Sequence, residues 1–370
     1  MPVPLLDLRA QHAHISQDVL AAMQAVVEAQ AFILGAPVEK LEQEIAVLSR
    51  TRFAIGCASG TDAILLALRA LDIGRGDEVV TTPFTFFATA GAIHNAGAKP
   101  VFADILPDTF NISPQAAAAA VTSATRAVMP VDLFGQMAAI DAVREAIPSL
   151  PLIEDAAQAI GARRRLGSEW VMAGEIATVA TFSFFPSKNL GGYGDGGMVV
   201  TQDERLAARL RRLRVHGGLQ MYHHEEVGYN SRLDALQAAV LSAKLAHLEE
   251  WSAARRRNAK YYDAAFADVA EVRTPFIEDR SESIFNQYTI RVPRRDDLQA
   301  HLKARGIGTA VYYPLPLHLQ PCFSYLGYSE GAFPESEAAA REVLSLPIYP
   351  ELTVAQLDEV VEAVRSFFGA

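Results

Sequence analysis

The strongest constraint on the fold is an alternation of strand-like and helix-like segments between about residues 50 and 215. Short apolar runs such as Phe53–Cys57 and Glu78–Thr82 indicate strands, and segments with helical spacing such as Thr61–Leu71 and Ala88–Ala96 separate them. Alternation of this kind predicts an α/β fold with a mostly parallel sheet and helices on both faces. Because ligands bind such sheets at the carboxyl ends of the strands, functional residues are expected there.

The pattern changes after this region. A long helical periodicity runs from Ser231 to about Ala265 and predicts one long helix, straight or bent, that leaves the large domain. A large domain at 1–250, with an N-terminal segment, and a smaller α+β domain at 251–370 are therefore expected, and both have ordinary domain sizes. The smaller domain is predicted to contain strands at Gln287–Val292 and Gly308–Tyr312 and helices at Leu298–Arg305 and Val354–Phe368.

Composition excludes several classes of protein. The net charge of −10 argues against nucleic acid as a partner, and no apolar run has the length of a membrane span. The N-terminus lacks the basic and apolar regions of a signal peptide. Cys57 and Cys322 form neither a disulfide framework nor a zinc pattern, and no metal site is expected. A cytoplasmic protein is the simplest interpretation.

Lys188 is in an unusual setting for a lysine. It follows the aromatic stretch Phe182–Phe185 and precedes Gly191 and Gly192, in a loop between two apolar strands. A lysine that loses water in such surroundings has a lowered pKa and can form a Schiff base with a carbonyl group. This stretch alone leaves a structural lysine in a tight loop as an open alternative.

Three further segments suit the chemistry of pyridoxal phosphate. Asp155 ends an apolar strand, where a carboxylate could pair with the pyridine nitrogen, and Gln158 lies one helical turn later. Ser59-Gly60-Thr61 lies at a strand-to-helix junction that suits an anion. Phe84–Phe87 offers a ring for stacking. Each has an ordinary alternative, since Asp155 and Ser59 also suit helix caps and phenylalanine usually packs in a core.

With these motifs in place, the sequence resembles the DegT/DnrJ/StrS family of sugar aminotransferases, which depend on pyridoxal 5'-phosphate (PLP). The resemblance implies an aspartate-aminotransferase-like (type I PLP) fold. It extends over essentially the whole chain and rests on Pro4–Leu8, Phe32–Gly35, Ser59–Ala63, Gly76–Val79, Glu154–Gln158, Ser183–Lys188, Gly194–Gly197, Asn230–Asp234 and Tyr312–Pro314 with His318.

The resemblance assigns a role to each matching residue. It implies that Lys188 holds PLP and moves the proton, that Asp155 pairs with the pyridinium, and that Gln158 bonds the 3-oxygen. The remaining cofactor contacts implied are stacking by Phe86, phosphate binding by Gly60, Thr61 and Ser183, and a phosphate contact by Asn230 of the neighbouring subunit. A homodimer with shared active sites is therefore expected.

The resemblance also implies the reaction. Glutamate would supply the amino group, and a nucleotide-linked keto-sugar would receive it. The stretch from Tyr222 to Arg232 most resembles enzymes acting on a UDP-linked 3-keto sugar, with UDP-2-acetamido-2-deoxy-3-oxo-glucuronate as the leading candidate and a dTDP-linked 3-keto-6-deoxyhexose as the alternative. The expected substrate contacts are Arg232, Tyr312, Tyr313 and His318.

Several alternatives stay open at this point. Arg232 suits a uronate carboxylate but also an interface ion pair. A dehydratase of the same fold would have histidine in place of Lys188, and neither cysteine suits a lyase or desulfurase. A regulatory or sugar-binding protein that retained the fold without catalysis is the non-enzyme alternative. The product would belong to a surface polysaccharide or a glycosylated natural product.

Overall fold

A computed structural model describes residues 2–370 of the chain. Within this range no helix is both long enough and apolar enough to cross a membrane. The helices are α1 (Leu8–Ala29), α2 (Ala36–Leu48), α3 (Gly60–Ala70), α4 (Phe87–Asn95), α5 (Pro114–Ala119), α6 (Ile140–Ala146), α7 (Glu204–Leu213), α8 (Ala235–Leu245), α9 (Leu248–Phe266), α10 (Arg295–Ala304), α11 (Pro334–Glu342) and α12 (Val354–Phe368). The strands are β1 (Phe53–Cys57), β2 (Glu78–Thr81), β3 (Lys99–Phe102), β4 (Thr125–Val128), β5 (Ile153–Asp155), β6 (Arg163–Leu166), β7 (Glu169–Met172), β8 (Val179–Ser183), β9 (Gly197–Thr201), β10 (Ser281–Glu282), β11 (Tyr288–Arg291) and β12 (Val343–Leu346).

The main sheet has the order β3-β2-β4-β5-β8-β9-β1. Strands β3, β2 and β4 pair in parallel, as do β5 and β8. Parallel bridges between Val128 and Leu152 and between Val131 and Asp155 join the two halves. Only β9 runs against the others, because it pairs antiparallel with both β8 and β1. The predicted mostly parallel sheet is confirmed, and the carboxyl ends of β1, β2, β5 and β8 meet at one edge.

The reversed strand β9 determines where Lys188 lies. The chain leaves β8 at Ser183, turns at the carboxyl edge of the sheet and returns along β9, so the intervening loop stays at that edge. The amide of Phe184 donates to the carbonyl of Gly196 at 2.8 Å, and the amide of Gly192 donates to the carbonyl of Phe184 at 2.8 Å. These bonds close the loop that contains Lys188.

Apolar packing forms separate cores. Helix α3 packs between the sheet and α4, with Ile64, Leu66 and Leu68 buried, so its apolar face covers one side of the strands. Helices α2 and α8 pack together on the other side. A further core joins Val3 to residues between 259 and 364. The existence of this separate core supports the predicted domain boundary near residue 250. The boundary itself stays a prediction.

Two segments differ from the sequence-based predictions. The periodic stretch after Ser231 forms α8 and α9 as separate helices, with a break at Ala246 and His247, where one long helix with a possible bend is predicted. Gly308–Tyr312 forms no regular strand, since its only β contact is a single bridge from Ala310 to Ser345. By contrast, β1 and α12 have the predicted bounds.

Candidate active site

A cavity of about 610 Å³ lies at the carboxyl edge of the sheet. Its walls come from the carboxyl ends of five parallel strands, from the loop between β8 and β9 and from three residues of the C-terminal part of the chain, so residues distant in sequence meet there. It is lined by Ser59, Gly60, Thr61, Ile64, Thr85, Phe86, Ala88, Thr89, Val131, Asp155, Ala157, Gln158, Ser183, Phe185, Ser187, Lys188, Asp195, Gln287, Tyr312 and Tyr313.

Lys188 contributes an amine to this cavity. Its backbone amide donates to the carbonyl of Phe185 at 2.8 Å, and the neighbouring Asn189 side chain donates to the carbonyl of Ile284 at 2.9 Å. Burial lowers the pKa of the Lys188 ammonium to about 8, although the charge of Asp155 opposes this effect. About a tenth of the amine is therefore unprotonated at pH 7, far more than for an ordinary lysine, and the unprotonated amine is the nucleophile.

Asp155 is buried at the end of β5 and faces the same cavity. Its Oδ2 accepts a hydrogen bond from the Thr89 hydroxyl at 2.7 Å, and its Oδ1 accepts one from the Ala157 amide at 3.3 Å. Burial raises the pKa of the Asp155 carboxyl, whereas these two bonds and the charge of Lys188 lower it. The carboxylate is thus positioned to face a cationic group in the cavity.

The start of α3 forms one end of the cavity. The Ser59 hydroxyl accepts from the Asp62 amide at 3.1 Å, and the Ser59 carbonyl accepts from the Ala63 amide at 2.9 Å. The amides of Gly60 and Thr61 have no intrahelical acceptor, as expected for the first turn. A side-chain carbon at Gly60 would lie 2.6 Å from Cβ of Ser183, so only glycine permits this close approach. These groups together suit a phosphate.

The Gln158 amide has a fixed orientation. Its Oε1 accepts a hydrogen bond from the buried Phe134 amide at 2.7 Å, and its Nε2 donates to the Tyr313 hydroxyl at 3.1 Å. Because the backbone amide can only donate, the oxygen must face Phe134 and the amino group must face the cavity. Gln158 therefore presents a donor to any oxygen bound there.

Phe86 lies at the open side of the cavity. Its ring is 57% exposed, and its centroid lies 6.2 Å from that of Tyr313. Tyr312 is half-buried on the same side. An exposed ring at the wall of a cavity can cover a flat ligand, because aromatic faces stack favourably.

Three of the predicted site residues lie elsewhere in the subunit. Asn230 is exposed and does not line the cavity. Arg232 lines a different cavity together with the loop around Tyr222. His318 is buried against Phe333 and bonds to Glu337 at 3.0 Å. Within one subunit, the structure brings the predicted cofactor residues other than Asn230 together with Tyr312 and Tyr313.

The cavity also contains residues that sequence reasoning missed. Thr89 bonds directly to Asp155, and Thr85 bonds to Thr89 at 3.0 Å. Asp195 and Gln287 line the wall. The spacing of Thr85 and Thr89, four residues apart across the start of a helix, could have indicated that the two side chains meet, but not that Thr89 reaches Asp155.

A buried pair of acids lies behind Asp155. Glu154 and Asp132 are fully buried, and Oε1 of Glu154 and Oδ2 of Asp132 have no donor among residues 2–370. The Gly174 amide donates to Glu154 at 3.0 Å and the Ala138 amide to Asp132 at 2.7 Å. Burial raises the pKa of both groups, that of Glu154 to about 7. Burial therefore favours the protonated form of each carboxyl group.

Comparison with known sequences identifies many relatives. The DegT/DnrJ/EryC1/StrS aminotransferase family profile matches residues 13–365. The chain is 52% identical to the "Pleiotropic regulatory protein" of Geobacillus stearothermophilus over 100% of this chain and 99% of the relative. It is 43% identical to the UDP-2-acetamido-2-deoxy-3-oxo-D-glucuronate aminotransferase of Pseudomonas aeruginosa, over 98% and 100%. It is also 43% identical to the dTDP-3-amino-3,4,6-trideoxy-alpha-D-glucose transaminase of Streptomyces venezuelae, over 99% and 96%.

Solved structures match over the same length. DesV of S. venezuelae, solved in complex with a ketimine intermediate, superposes with a TM-score of 0.97 at 42% identity, covering 100% of this chain and 99% of that one. NtdA of Bacillus subtilis, solved with the bound cofactor PMP, superposes with a TM-score of 0.89 at 29% identity, covering 99% and 83%.

Proposed function

The chain belongs to the DegT/DnrJ/EryC1/StrS aminotransferase family, and on that basis we propose that it transfers an amino group from glutamate to a UDP-linked 3-keto sugar. It is an aminotransferase that acts on nucleotide-linked keto-sugars, and pyridoxal 5'-phosphate is its cofactor. The amino donor, the nucleotide, the sugar, the individual residue roles and the dimer are parts of the proposal.

The convergence of Lys188 and Asp155 on one cavity is the observation that carries the proposal. The cavity has an amine with a lowered pKa, a buried carboxylate, and a helix start with free amides at Gly60 and Thr61. These groups match the aldehyde, the ring nitrogen and the phosphate of PLP respectively. The residues present therefore fit the cofactor.

Each residue has a distinct task in this proposal. Bound PLP supplies an electron sink for the breaking Cα–H bond of the amino donor. Lys188 would hold the cofactor through Nζ and, once released, would carry the proton at the substrate carbon. Asp155 would keep the ring nitrogen protonated by its charge. Gln158 would donate to the ring 3-oxygen, and Phe86 would cover the ring face.

The amino acceptor is proposed to carry a uronate carboxylate. Nε of Arg232 is buried and has no hydrogen-bond partner among residues 2–370. Because Arg232 lines a cavity separate from that of Lys188 in its own subunit, it would reach the acceptor bound in the neighbouring subunit. Arginine pairs with carboxylates through two parallel bonds. This observation favours the uronate named for the P. aeruginosa relative over a neutral 6-deoxyhexose, although the dTDP-sugar relative is equally similar in sequence. Tyr312 and Tyr313 would contact the sugar, whereas the burial of His318 favours a packing role for it.

We further propose a homodimer with shared sites. Asn230 is exposed on its own subunit and lies outside the cavity, so a phosphate contact from it would have to be made in the neighbouring subunit. Large apolar side chains near it are also exposed, including Met221 and Tyr222 at 84% and 90%. Exposed apolar clusters of this kind mark contact surfaces.

Both cysteines are free thiols, which supports a cytoplasmic location.

The regulatory alternative has one point in its favour, the name of the relative at 52% identity. It gives no reason for a lysine of lowered pKa to face Asp155 in a cavity. A product destined for a polysaccharide or another glycoconjugate fits the nucleotide-sugar substrate better.

A spectroscopic assay tests the proposed reaction. The purified protein loaded with PLP should be yellow, and glutamate should bleach its visible band. UDP-linked 3-keto uronates should then restore the band faster than dTDP-linked 3-keto-6-deoxyhexoses. Faster recovery with the dTDP sugars would overturn the substrate assignment, and a protein that binds no PLP would overturn the enzyme itself.

A further inference from the structure

Two buried threonines form a chain of hydrogen bonds that ends at Asp155. Thr85 and Thr89 are 2% and 1% exposed, and their hydroxyl oxygens lie 3.0 Å apart. Thr89 lies in the first turn of α4, which directs its hydroxyl to within 2.7 Å of Asp155 Oδ2. Both threonines line the cavity that contains Lys188.

The direction of each bond follows from what the groups can donate. An ionised carboxylate only accepts, so the single proton of the Thr89 hydroxyl must point to Asp155. The Thr89 oxygen then has lone pairs but no proton left for Thr85. The Thr85 hydroxyl must therefore donate to Thr89, and both threonine dipoles point toward the carboxylate.

Other groups around Asp155 act less steadily on its charge. Burial favours the neutral acid, and the Ala157 amide is at 3.3 Å, longer than the Thr89 bond. Lys188 offers a positive charge only while its amine is free and protonated. Tyr313, Asp132 and Glu154 also lie near Asp155, and a negative charge on any of them would oppose the Asp155 charge. The Thr89 bond is the short, permanent contact that favours the ionised form.

We propose that Thr89 is a positioning residue that keeps Asp155 ionised and in one orientation toward the ring of the cofactor, and that Thr85 fixes the direction of the Thr89 hydroxyl. The inference rests on the role proposed above for Asp155. Thr89 acts in every stage of the reaction, including those in which Lys188 has changed its charge.

Binding of pyridoxamine 5'-phosphate tests this inference, because this probe has no aldehyde and so cannot form a covalent Schiff base with Lys188. Thr89→Val removes the hydroxyl with little change in shape. Its dissociation constant for the probe should rise roughly 10- to 100-fold, the range for a hydrogen bond to a charged group. Thr85→Val removes only the second bond and should cost roughly 2- to 10-fold. Thr89→Ser should restore affinity to within about threefold of the wild type.

The pH dependence distinguishes this role from simple packing. Without the Thr89 bond the pKa of Asp155 rises further, so the carboxylate is lost at a higher pH. The ratio of dissociation constants between Thr89→Val and wild type should therefore grow as the pH falls from 8 to 6. In an Asp155→Asn background, adding Thr89→Val should change affinity by less than about twofold, because the charged partner is already gone.

Specific results would overturn the inference. It fails if Thr89→Val matches the wild type in affinity and pH dependence, if Thr89→Ser is as weak as Thr89→Val, or if the Asp155→Asn background leaves the loss intact. If Thr89→Val does not fold, wild-type affinity in Thr85→Val overturns the chain of bonds. A wild-type protein that binds no probe overturns the cofactor site itself, and the role of Thr89 with it.

Discussion

The cavity floor, formed by Asp155, Gln158 and Lys188, differs in construction from the segment 215–232. On the floor, Asp155 and Gln158 are buried and each has two hydrogen-bond contacts with neighbouring groups. In the segment, Leu219, Met221 and Val227 are 68%, 84% and 85% exposed. The segment lines its own open cavity of about 1000 Å³, together with Arg232.

This contrast separates what one subunit completes from what it leaves open. The cofactor residues on the floor are held in place by contacts within the chain. The apolar side chains of the segment are exposed to solvent, and the free energy of association would be favourable if a second copy of the chain buried them. We therefore expect most cofactor contacts to depend on local substitutions in the floor. The phosphate contact proposed for Asn230, and substrate binding, should depend on assembly.

The largest effect is expected on the floor. Lys188→Ala should reduce the rate of amino transfer by roughly 10³-fold or more, since it removes both the anchor and the proton carrier. Borohydride should no longer trap PLP on the protein, as mass spectrometry of the labelled peptide would show. The exposed Lys99→Ala is a matched control and should retain activity. Borohydride labelling of another lysine in the wild type would contradict the assignment.

A subunit-mixing experiment tests whether the segment completes a neighbouring site. Asn230→Asp places a negative charge where a phosphate contact is proposed and should weaken PLP binding roughly 10-fold or more. When Lys188→Ala and Asn230→Asp subunits are mixed and exchanged, half of the dimers are hybrid. One of the two sites in each hybrid regains both native residues, so activity should recover to about a quarter of the wild-type value.

The mixing result has a clear contrary outcome. If Asn230 serves its own subunit, no hybrid site is intact and the mixture should show no more activity than the average of its two components. Mixing two preparations of Lys188→Ala is the control for exchange itself and should recover no activity.

The smallest effect is expected behind the floor, at the acid pair. Because the pKa of Glu154 is raised to about 7, its contribution to stability is present below the unfolded value near 4.5 and is lost as pH rises through about 7. Glu154→Gln can still accept from Gly174 and can donate to Asp132. Its free energy of unfolding, relative to wild type, should improve by roughly 1–3 kcal/mol between pH 5 and pH 8.

Urea denaturation at several pH values measures this difference. The exposed Glu145→Gln, on α6, is the control and should show no such trend. If the stability of Glu154→Gln relative to wild type stays constant or falls as pH rises, the pKa of Glu154 is not raised in the folded protein.

Much of the fold could be predicted because local periodicity and strand position coincide. Strand β1 and helix α12 have their predicted bounds, since turns or caps adjoin them. A bend in this stretch was among the predictions, but the complete break between α8 and α9 could not be located, because Ala246 and His247 include neither proline nor glycine. His247 stacks on Trp251 at 5.5 Å, a contact made within the folded chain.

The site residues likewise include some that local sequence could predict and others that depend on contacts in the folded chain. Lys188, Asp155 and Gly60 were predictable because each follows a strand whose carboxyl end is at one edge of the sheet. Thr89 was not predicted, since its importance depends on a bond to a residue 66 positions away in the chain. His318 has the residue type of a ligand contact, yet only its burial against Glu337 reveals how it is held.

The close contact between Gly60 and Ser183 fixes the distance between the proposed phosphate site and the Lys188 amine. Ser183 contacts the start of α3, which would bind the phosphate, and it also directly precedes the loop that contains Lys188. The distance between the amides at the start of α3 and the amine of Lys188 is thus set by the short stretch of chain from Ser183 to Lys188. A cofactor analogue lengthened by one methylene between phosphate and ring would reach one end or the other, and the protein would select its cofactor by length.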